Sequence, residues 1–372
     1  MTFCIITHVN HGKQHEKYYA YLPYVREMNI WLKYVDNVIV VAPLTLNEKD
    51  AISLEYLHSN IDFRIIPEFN LISIVSKCKT LIALPNILYA IYKAMKQSDH
   101  IHLRCPGNMG LLGAIVQILF PNKPKTAKYA GNWDHNAKQP ITYKLQKWII
   151  SNTFLTKNMK VLVYGEWENS THNVKPFFTA SYYENEKLDC SPRPLKEKIS
   201  FLFVGTLSNG KQPLYAVKMV EQLYKIGHNV QLTLYGEGNE RKLLESYISE
   251  NNLDKIVFLK GNQNQETLKQ AYLANHFVVL PSLSEGWPKV VAEAMFWGCL
   301  PIASSVSCVP NMLDKGKRGM ILEMNLDKDV KQIEALLTDE NDFKNKISKA
   351  ITWSRNYTLD VFEEEIKKMV QA

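Results

Sequence analysis

The chain has 372 residues, of which 46% are hydrophobic and 22% charged, with 16 Gly and 16 Pro. That composition excludes a disordered, collagenous or disulfide-framed chain, and the length predicts about two to three domains. The net charge of +7 is uneven: residues 1–195 hold 22 Lys+Arg against 15 Asp+Glu, whereas residues 196–372 hold 22 of each.

The opening MTFCIITHVN lacks a basic leader, and its apolar run is too short for a secretion signal. No stretch approaches the roughly 20 apolar residues that cross a bilayer. Expected strands and helices then alternate. Strand Phe3–Thr7 precedes a helix over Tyr19–Tyr34, and strands Val38–Ala42 and Phe63–Ile66 precede a helix over Thr80–Gln97. Strand Ile101–Arg104, helix Leu111–Phe120, strand Thr126–Ala130, helix Ile141–Ser151 and strand Val161–Tyr164 complete the first half. Tyr182–Lys198 is polar, carries two prolines and reads as a linker.

Beyond the linker, strands are expected at Ile199–Val204, Gln231–Tyr235, Ile256–Leu259, Phe277–Leu280, Leu300–Ala303 and Met320–Leu322. Helices are expected at Pro213–Ile226, Glu240–Glu250, Glu266–Ala274 and Lys289–Trp297, with an amphipathic helix at Leu359–Val370. The alternation predicts an α/β chain of two doubly wound, Rossmann-like domains, residues 1–190 and 191–354, facing a deep cleft. In such sheets ligands sit at the carboxyl ends of the strands. The six cysteines (Cys4, Cys78, Cys105, Cys190, Cys299, Cys308) have no CxxC spacing, and several lie in apolar runs. They read as reduced, mostly buried thiols, which points to the cytoplasm.

The densest signal is Pro281–Gly298, PSLSEGWPKVVAEAMFWG. A buried strand runs into a turn that Gly286 permits, and Pro288 suits the first helical position. The N–H groups of Lys289, Val290 and Val291 then lack intrahelical acceptors and form an anion site together with the helix dipole. Glu285 lies before the helix and Glu293 within it, so the two can reach opposite ends of a ligand whose phosphates sit on the helix start. Solvated glutamates on an ordinary strand–loop–helix are the plain alternative.

This string resembles the retaining glycosyltransferases of family 4, which have the GT-B fold. FVGTLSNGK (Phe203–Lys211), LYGEGNERKLLE (Leu234–Glu245), VFLKGN (Val257–Asn262) and LPIASSVSCVPNML (Leu300–Leu313) are similar to further segments of that family, in the same order. The resemblance covers roughly residues 200–315. It implies transfer of a hexose-type sugar from a nucleoside-diphosphate donor, UDP ahead of GDP, to a hydroxyl of a glycan or lipid-linked glycan. The expected setting is assembly of a cell-envelope polysaccharide, capsule or other glycan. It further implies that no cofactor or metal is needed. The donor side would comprise Gly205, Thr206, Lys211, Gly236, Gly238, Gly261, Asn262, Glu285, Gly286, Trp287, Lys289, Val290 and Glu293. Glu293 would hold the ribose and Glu285 the sugar, and Lys211 would neutralise the diphosphate. Thr206 stands where the family usually has arginine. The C-terminal helix, about 355–372, would pack back on the first domain.

For the first domain the resemblance implies an acceptor side of Asn10, His11, Gly12, Asn132 and Trp133. His102 and Arg104 fall on a segment that often carries a functional histidine and are candidate catalytic residues with Glu285 and Lys211, Arg104 as the holder of an acceptor phosphate or carboxylate; strand alternation puts both on one face. His102 as a core histidine and Trp133 as a buried loop anchor are the structural alternatives. Asp327-Lys328-Asp329 imitates a metal motif, but it opens a late helix where Asp caps well. His8, His11 and His15 have no carboxylate or cysteine pattern around them to support a metal. Lys144, Lys147, Trp148, Ile149, Ile150, Phe154 and Lys157 mix cations with aromatic and aliphatic groups. They fit peripheral contact with an anionic membrane, and equally a packed helix with a basic edge. Nucleic acid has no motif here. Two other functions stay open: a GT-B sugar-nucleotide epimerase, and a non-catalytic sugar-nucleotide-binding subunit.

Overall fold

The computed structural model describes residues 1–45, 53–67, 74–195 and 198–371. It divides into two compact units, Met1–Phe177 with Glu363–Ala372, and Phe178–Phe362.

The first unit opens with β1 (Thr2–Ile6), β2 (His11–Gln14), β3 (Lys17–Tyr21), α1 (Leu22–Trp31) and β4 (Asn37–Pro43). It continues with β5 (Ser53–Glu55), β6 (Ile61–Ile66), α2 (Ile74–Gln97), β7 (His100–Cys105) and α3 (Asn108–Val116). β8 (Lys125–Tyr129), α4 (Ile141–Ser151), β9 (Met159–Tyr164) and β10 (Val174–Phe177) follow. The main sheet is parallel, in the order β10-β9-β8-β7-β1-β4-β6. Its winding reverses between β1 and β7, and the crevice of such a sheet opens at the carboxyl ends of those two strands. Cys4, Ile6, Ile101, Leu103, Ala127 and Val161 are fully buried in one core beneath the helices.

Two features of this unit depart from the expected pattern. The helix expected from Tyr19 begins at Leu22, because residues 11–21 form a hairpin that pairs antiparallel with β5. Its turn places His15 and Glu16 at φ 47° and 64° with no glycine to announce it. β10 also escapes the pattern: Pro176 sits in a short strand, which is tolerated because β10 lies at the sheet edge.

The second unit runs β11 (Ile199–Val204), α5 (Pro213–Lys225), β12 (Val230–Tyr235), α6 (Arg241–Glu250), β13 (Val257–Leu259), α7 (Gln265–Ala274) and β14 (Phe277–Leu280). It continues with α8 (Lys289–Phe296), β15 (Leu300–Ser304), α9 (Val309–Met312), β16 (Met320–Leu322), α10 (Leu326–Thr338) and α11 (Glu340–Ser354). The parallel order β13-β12-β11-β14-β15-β16 reverses between β11 and β14, the Rossmann winding. Apolar side chains on both faces explain why ISFLFV and FVVL read so clearly as strands. Phe201, Phe277 and Phe343 pack in series at centroid distances of 5.1 and 5.3 Å. In α12 (Leu359–Val370), Leu359–Phe362 belong to this unit and the remainder to the first.

The linker expected at Tyr182–Lys198 lies inside the second unit, with Lys196 and Glu197 outside the described residues. Tyr182 draws the segment in. Its ring is buried against Phe296 and Trp297 at 5.2 and 4.9 Å, and its carbonyl accepts from the Leu359 N–H at 2.8 Å. Cys4, Cys105, Cys299 and Cys308 are buried free thiols and Cys190 is half-buried. The Cys78 side chain lies outside the described residues. Among those residues, no helix is long and apolar enough to cross a membrane.

Candidate active site

At the carboxyl edge of the second unit's sheet, the loops after β11, β12 and β13 lock backbone to backbone. The Gly205 N–H donates to Tyr235, Leu207 to Glu237 and Gly236 to Gly261, each at 2.9 Å. The approach is so close that a Cβ on Gly236 would lie 1.9 Å from the Gly205 carbonyl oxygen, and one on Gly238 2.3 Å from that of Leu207. Both positions therefore require glycine, which accounts for the GEG string on steric grounds.

Lys211 leaves the loop after β11, and Glu285 the loop after β14. Their side chains meet at 2.5 Å, with Glu285 only 8% and Lys211 31% exposed. The Leu283 N–H donates to the Gly210 carbonyl at 2.9 Å, tying the two loops together. Ser307 and Cys308 both donate to the Gly286 carbonyl, at 3.1 and 3.2 Å, and hold the turn from the other side. α8 follows at once: its first residue is Lys289 and its cap Pro288. The start of α8 thus stands beside a lysine and a carboxylate, an arrangement suited to a polar ligand bearing phosphate, but the Val291 N–H, expected to be open, donates to the Pro288 carbonyl at 3.0 Å. Thr206 is exposed at the end of the first loop.

Glu293 sits one turn further along α8 than Lys289. Its carboxylate accepts from the Ser181 hydroxyl and, at 3.1 Å, from the Tyr272 hydroxyl. Ser181, Lys289, Ala292 and Glu293 line one small cavity. Burial, with Glu293 next, pushes the Tyr272 phenol far up, so Tyr272 stays a donor. Neither Ser181 nor Tyr272 was legible as a partner, since each lies far from Glu293 in sequence. Trp287 packs its ring on Trp353 at 6.2 Å and Tyr357 at 5.7 Å, which anchors the turn to α11. Asp329 is fully buried; it accepts from the Glu323 N–H at 2.8 Å and from the Tyr215 hydroxyl. The α10 cap is Asn325 rather than Asp327. Among the described residues no group of three His, Cys, Asp or Glu is placed to hold a metal.

In the first unit the candidate residues separate. His102 has no exposed surface. It bonds the Thr126 hydroxyl at 2.8 Å and lies against Phe3 and Trp31, and burial, then Arg104, lowers it to about 3. The catalytic reading of His102 therefore gives way to a neutral core histidine. His11 is likewise buried, between the Val9 carbonyl at 2.7 Å and the Tyr56 hydroxyl at 2.8 Å, and burial lowers it to about 4. Gly12 faces the Tyr19 ring across the hairpin, where a Cβ would come within 2.2 Å. Trp133 is a buried anchor, edge-on to Tyr129 at 4.9 Å. Asn10 is exposed and Asn132 half-buried, both in loops at the carboxyl edge of the sheet.

Arg104 donates to Glu27 at 2.9 Å, with the two side chains 12% and 6% exposed, and lies over the Tyr24 ring at 5.5 Å. Sequence reading missed Glu27 because it comes from α1, on a face the expected helix did not resolve. Lys147 is buried too. Its ammonium donates to the Asp134 carbonyl at 3.2 Å and sits over Tyr129 and Trp133, and burial lowers it to about 8. It is therefore not part of a surface a membrane could meet.

Residues 185–353 match the family described as Glycosyl transferases group 1. The protein CapJ of Staphylococcus aureus is 24% identical over 59% of this chain and 58% of its own length. A Campylobacter jejuni α-1,4-N-acetyl-D-galactosaminyltransferase, named for an undecaprenol-linked acceptor, is 27% identical over 51% of this chain and 56% of its own. The chain thus spans a little over half the length of these relatives. Anabaena HepE, solved with UDP and glucose, superposes with a TM-score of 0.69 at 14% identity, covering 100% of this chain and 99% of that one. The chain therefore has the GT-B fold, and its second unit is similar to the domain described as Glycosyl transferases group 1.

Proposed function

We propose that the protein is a retaining glycosyltransferase that moves a hexose-type sugar from a nucleoside diphosphate, UDP ahead of GDP, to a glycan hydroxyl. The observation that carries this reading is the Lys211–Glu285 pair beside the start of α8. Breaking a sugar–phosphate bond leaves growing negative charge on the diphosphate. A lysine and helix N–H groups aimed at that charge are worth more in the transition state than in the ground state. Glu285 then positions the sugar and Glu293, released from Ser181 and Tyr272, takes the ribose hydroxyls. The departing phosphate accepts the proton of the incoming hydroxyl on the same face, so configuration is kept and no metal is required.

The name of the Campylobacter jejuni relative supports a lipid-linked glycan acceptor. Asn10 and Asn132 are the proposed acceptor-side residues that stay accessible. A peripheral membrane setting is part of the reading. α4 exposes Ile141, Leu145 and Trp148 along one stripe with Lys144 between them, and Phe154 and Lys157 follow.

The test is a panel of nucleotide sugars incubated with the protein and a set of glycan acceptors, followed by NMR of the product. Transfer with the donor's anomeric configuration, undiminished by EDTA, is the expected result. Inversion, or loss of transfer with EDTA and recovery with magnesium or manganese, overturns the mechanism. No nucleotide-sugar binding by thermal shift across the panel overturns the function itself.

A further inference from the structure

The first unit carries a second concavity, of about 610 Å3, on the edge of its sheet opposite the crevice. It is lined by the residues that open four parallel strands: His100 and Pro124–Thr126, Met159 and Lys160, and Asn173 with Lys175. In a parallel sheet all those strand starts lie on one edge, and the carboxyl-end loops lie on the other. The lining brings together Lys125, Lys157, Lys160, Lys175, His100 and His172, and it contains no aspartate or glutamate.

Such a set is electrostatically unfavourable on its own. Cations crowded into a low-dielectric recess repel, and the recess concentrates their field. A bland role for lysines here is to cap the carbonyls at helix ends. Lys125 does this, donating to the Phe120 carbonyl at 2.6 Å. Lys160 and Lys175 do not: both are exposed toward the recess and neither forms an ion pair among the described residues. Lys157 lies over the Phe154 ring at 5.8 Å and forms no ion pair among the described residues. Thr153 and Asn122 also line the recess, whereas Thr156, Asn158 and Asn173 already donate to the carbonyls of Asn152, Pro121 and Ile150. The recess also falls in the half of the chain that holds the whole net charge of +7.

We infer that this recess is a binding site for an anion bearing more than one phosphate group, held by Lys157, Lys160 and Lys175 around the buried floor of Lys125 and Thr126. Several phosphates match several ammonium groups, on three strands and the turn before β9, better than a single carboxylate does. Burial lowers Lys125 to about 8, which still leaves its ammonium largely charged at neutral pH, and an anion nearby favours that charged form further. The site is separate from the sugar-nucleotide loops, which belong to the second unit. The phosphates can be those of a free polyphosphate or of a lipid headgroup, since Phe154 stands exposed beside Lys157.

The experiment uses the full chain and inorganic tripolyphosphate, with calorimetry as readout. Saturable binding is expected in the wild type. At least a tenfold loss is expected in Lys160→Glu with Lys175→Glu, and no change in Lys138→Glu, an exposed lysine outside the lining. Both substituted lysines are exposed, and circular dichroism with thermal unfolding verifies that the double variant folds. In parallel, sedimentation with vesicles carrying phosphatidic acid is compared with neutral vesicles. Vesicle binding that the double variant loses, with or without tripolyphosphate binding, supports the site and assigns the headgroup as its source. Tripolyphosphate binding lost in the variant, with vesicle binding unaltered, supports the site with a free anion as its source. Neither probe binding in a way that depends on Lys160 and Lys175 overturns the proposal.

Discussion

The two units share one winding and use it differently. In the second, polar residues gather in the loops at the carboxyl edge, and the strands between them are almost purely apolar. In the first, polar groups run through the sheet itself: His100, His102, Thr126 and Lys128 are all buried within strands, and Glu27 and Arg104 form a buried pair. A shared topology thus leaves open whether polar residues serve a ligand or the fold. The second unit gathers polar groups in its strand-end loops while burying others such as Glu221 and Asp329 beside its helices, and the first spends many of them within its sheet.

That contrast has its largest expected consequence in acid. His102 is held to about 3, and His11 and His100 to about 4, each by burial first. Above the ordinary value of 6.5 both folded and unfolded forms are neutral and contribute nothing. As pH falls below it, the unfolded chain binds protons that the folded chain refuses, so stability falls with pH. Between pH 6.5 and 5 the loss is about 2 kcal/mol for each fully shifted histidine, at about 1.4 kcal/mol per unit. Hydrogen exchange followed by peptide across that range should loosen the first unit before the second, where His276 is the one buried histidine among the described residues. If peptides of the second unit open first, the comparison fails.

The same difference governs how much was legible in the sequence. β11, β14 and α8 were readable because apolar runs bracket a turn whose glycine and proline have steric reasons. The GEG turn was readable because backbone contact forbids any side chain there. Glu27, Ser181 and Tyr272 were not, because their meaning comes from partners 77, 112 and 21 residues away. His102 misled for a related reason. A histidine beside an arginine on one strand looks like a site, and only the burial of Phe3 and Trp31 around it shows the core.

Next in size is the Arg104–Glu27 pair. Glu27→Ala leaves a buried guanidinium unpaired and should cost roughly 3–5 kcal/mol in urea unfolding. Glu27→Leu combined with Arg104→Met should recover most of it. A single variant as stable as the wild type would mean that this pair belongs to a site rather than to the interior.

In the second unit the effects should appear in function. Lys211→Ala should lower turnover about 10²–10³-fold, as for loss of one donor to a developing charge. Lys289→Ala should do less. Measured release of nucleoside diphosphate decides between them, and the reverse ranking would move the leaving-group role to α8.

Smallest is Glu293→Ala, which should weaken nucleoside-diphosphate binding by roughly 1.5–3 kcal/mol, the worth of a hydrogen bond to a charged acceptor. Tyr272→Phe should change it by less. Unchanged affinity in a folded Glu293→Ala protein would make its bonds to Ser181 and Tyr272 purely structural.

α12 sets an order on how the protein is made. The first unit is completed by Glu363–Ala372, where Glu363 accepts from Lys33 at 2.7 Å and from the Tyr34 hydroxyl at 2.8 Å. These residues leave the ribosome after the entire Phe178–Phe362 unit. The unit whose chain is made first therefore cannot be completed before the whole chain of the second unit has been made. Until that stretch has been made, Lys33 and Tyr34 wait for a carboxylate encoded 330 and 329 residues downstream.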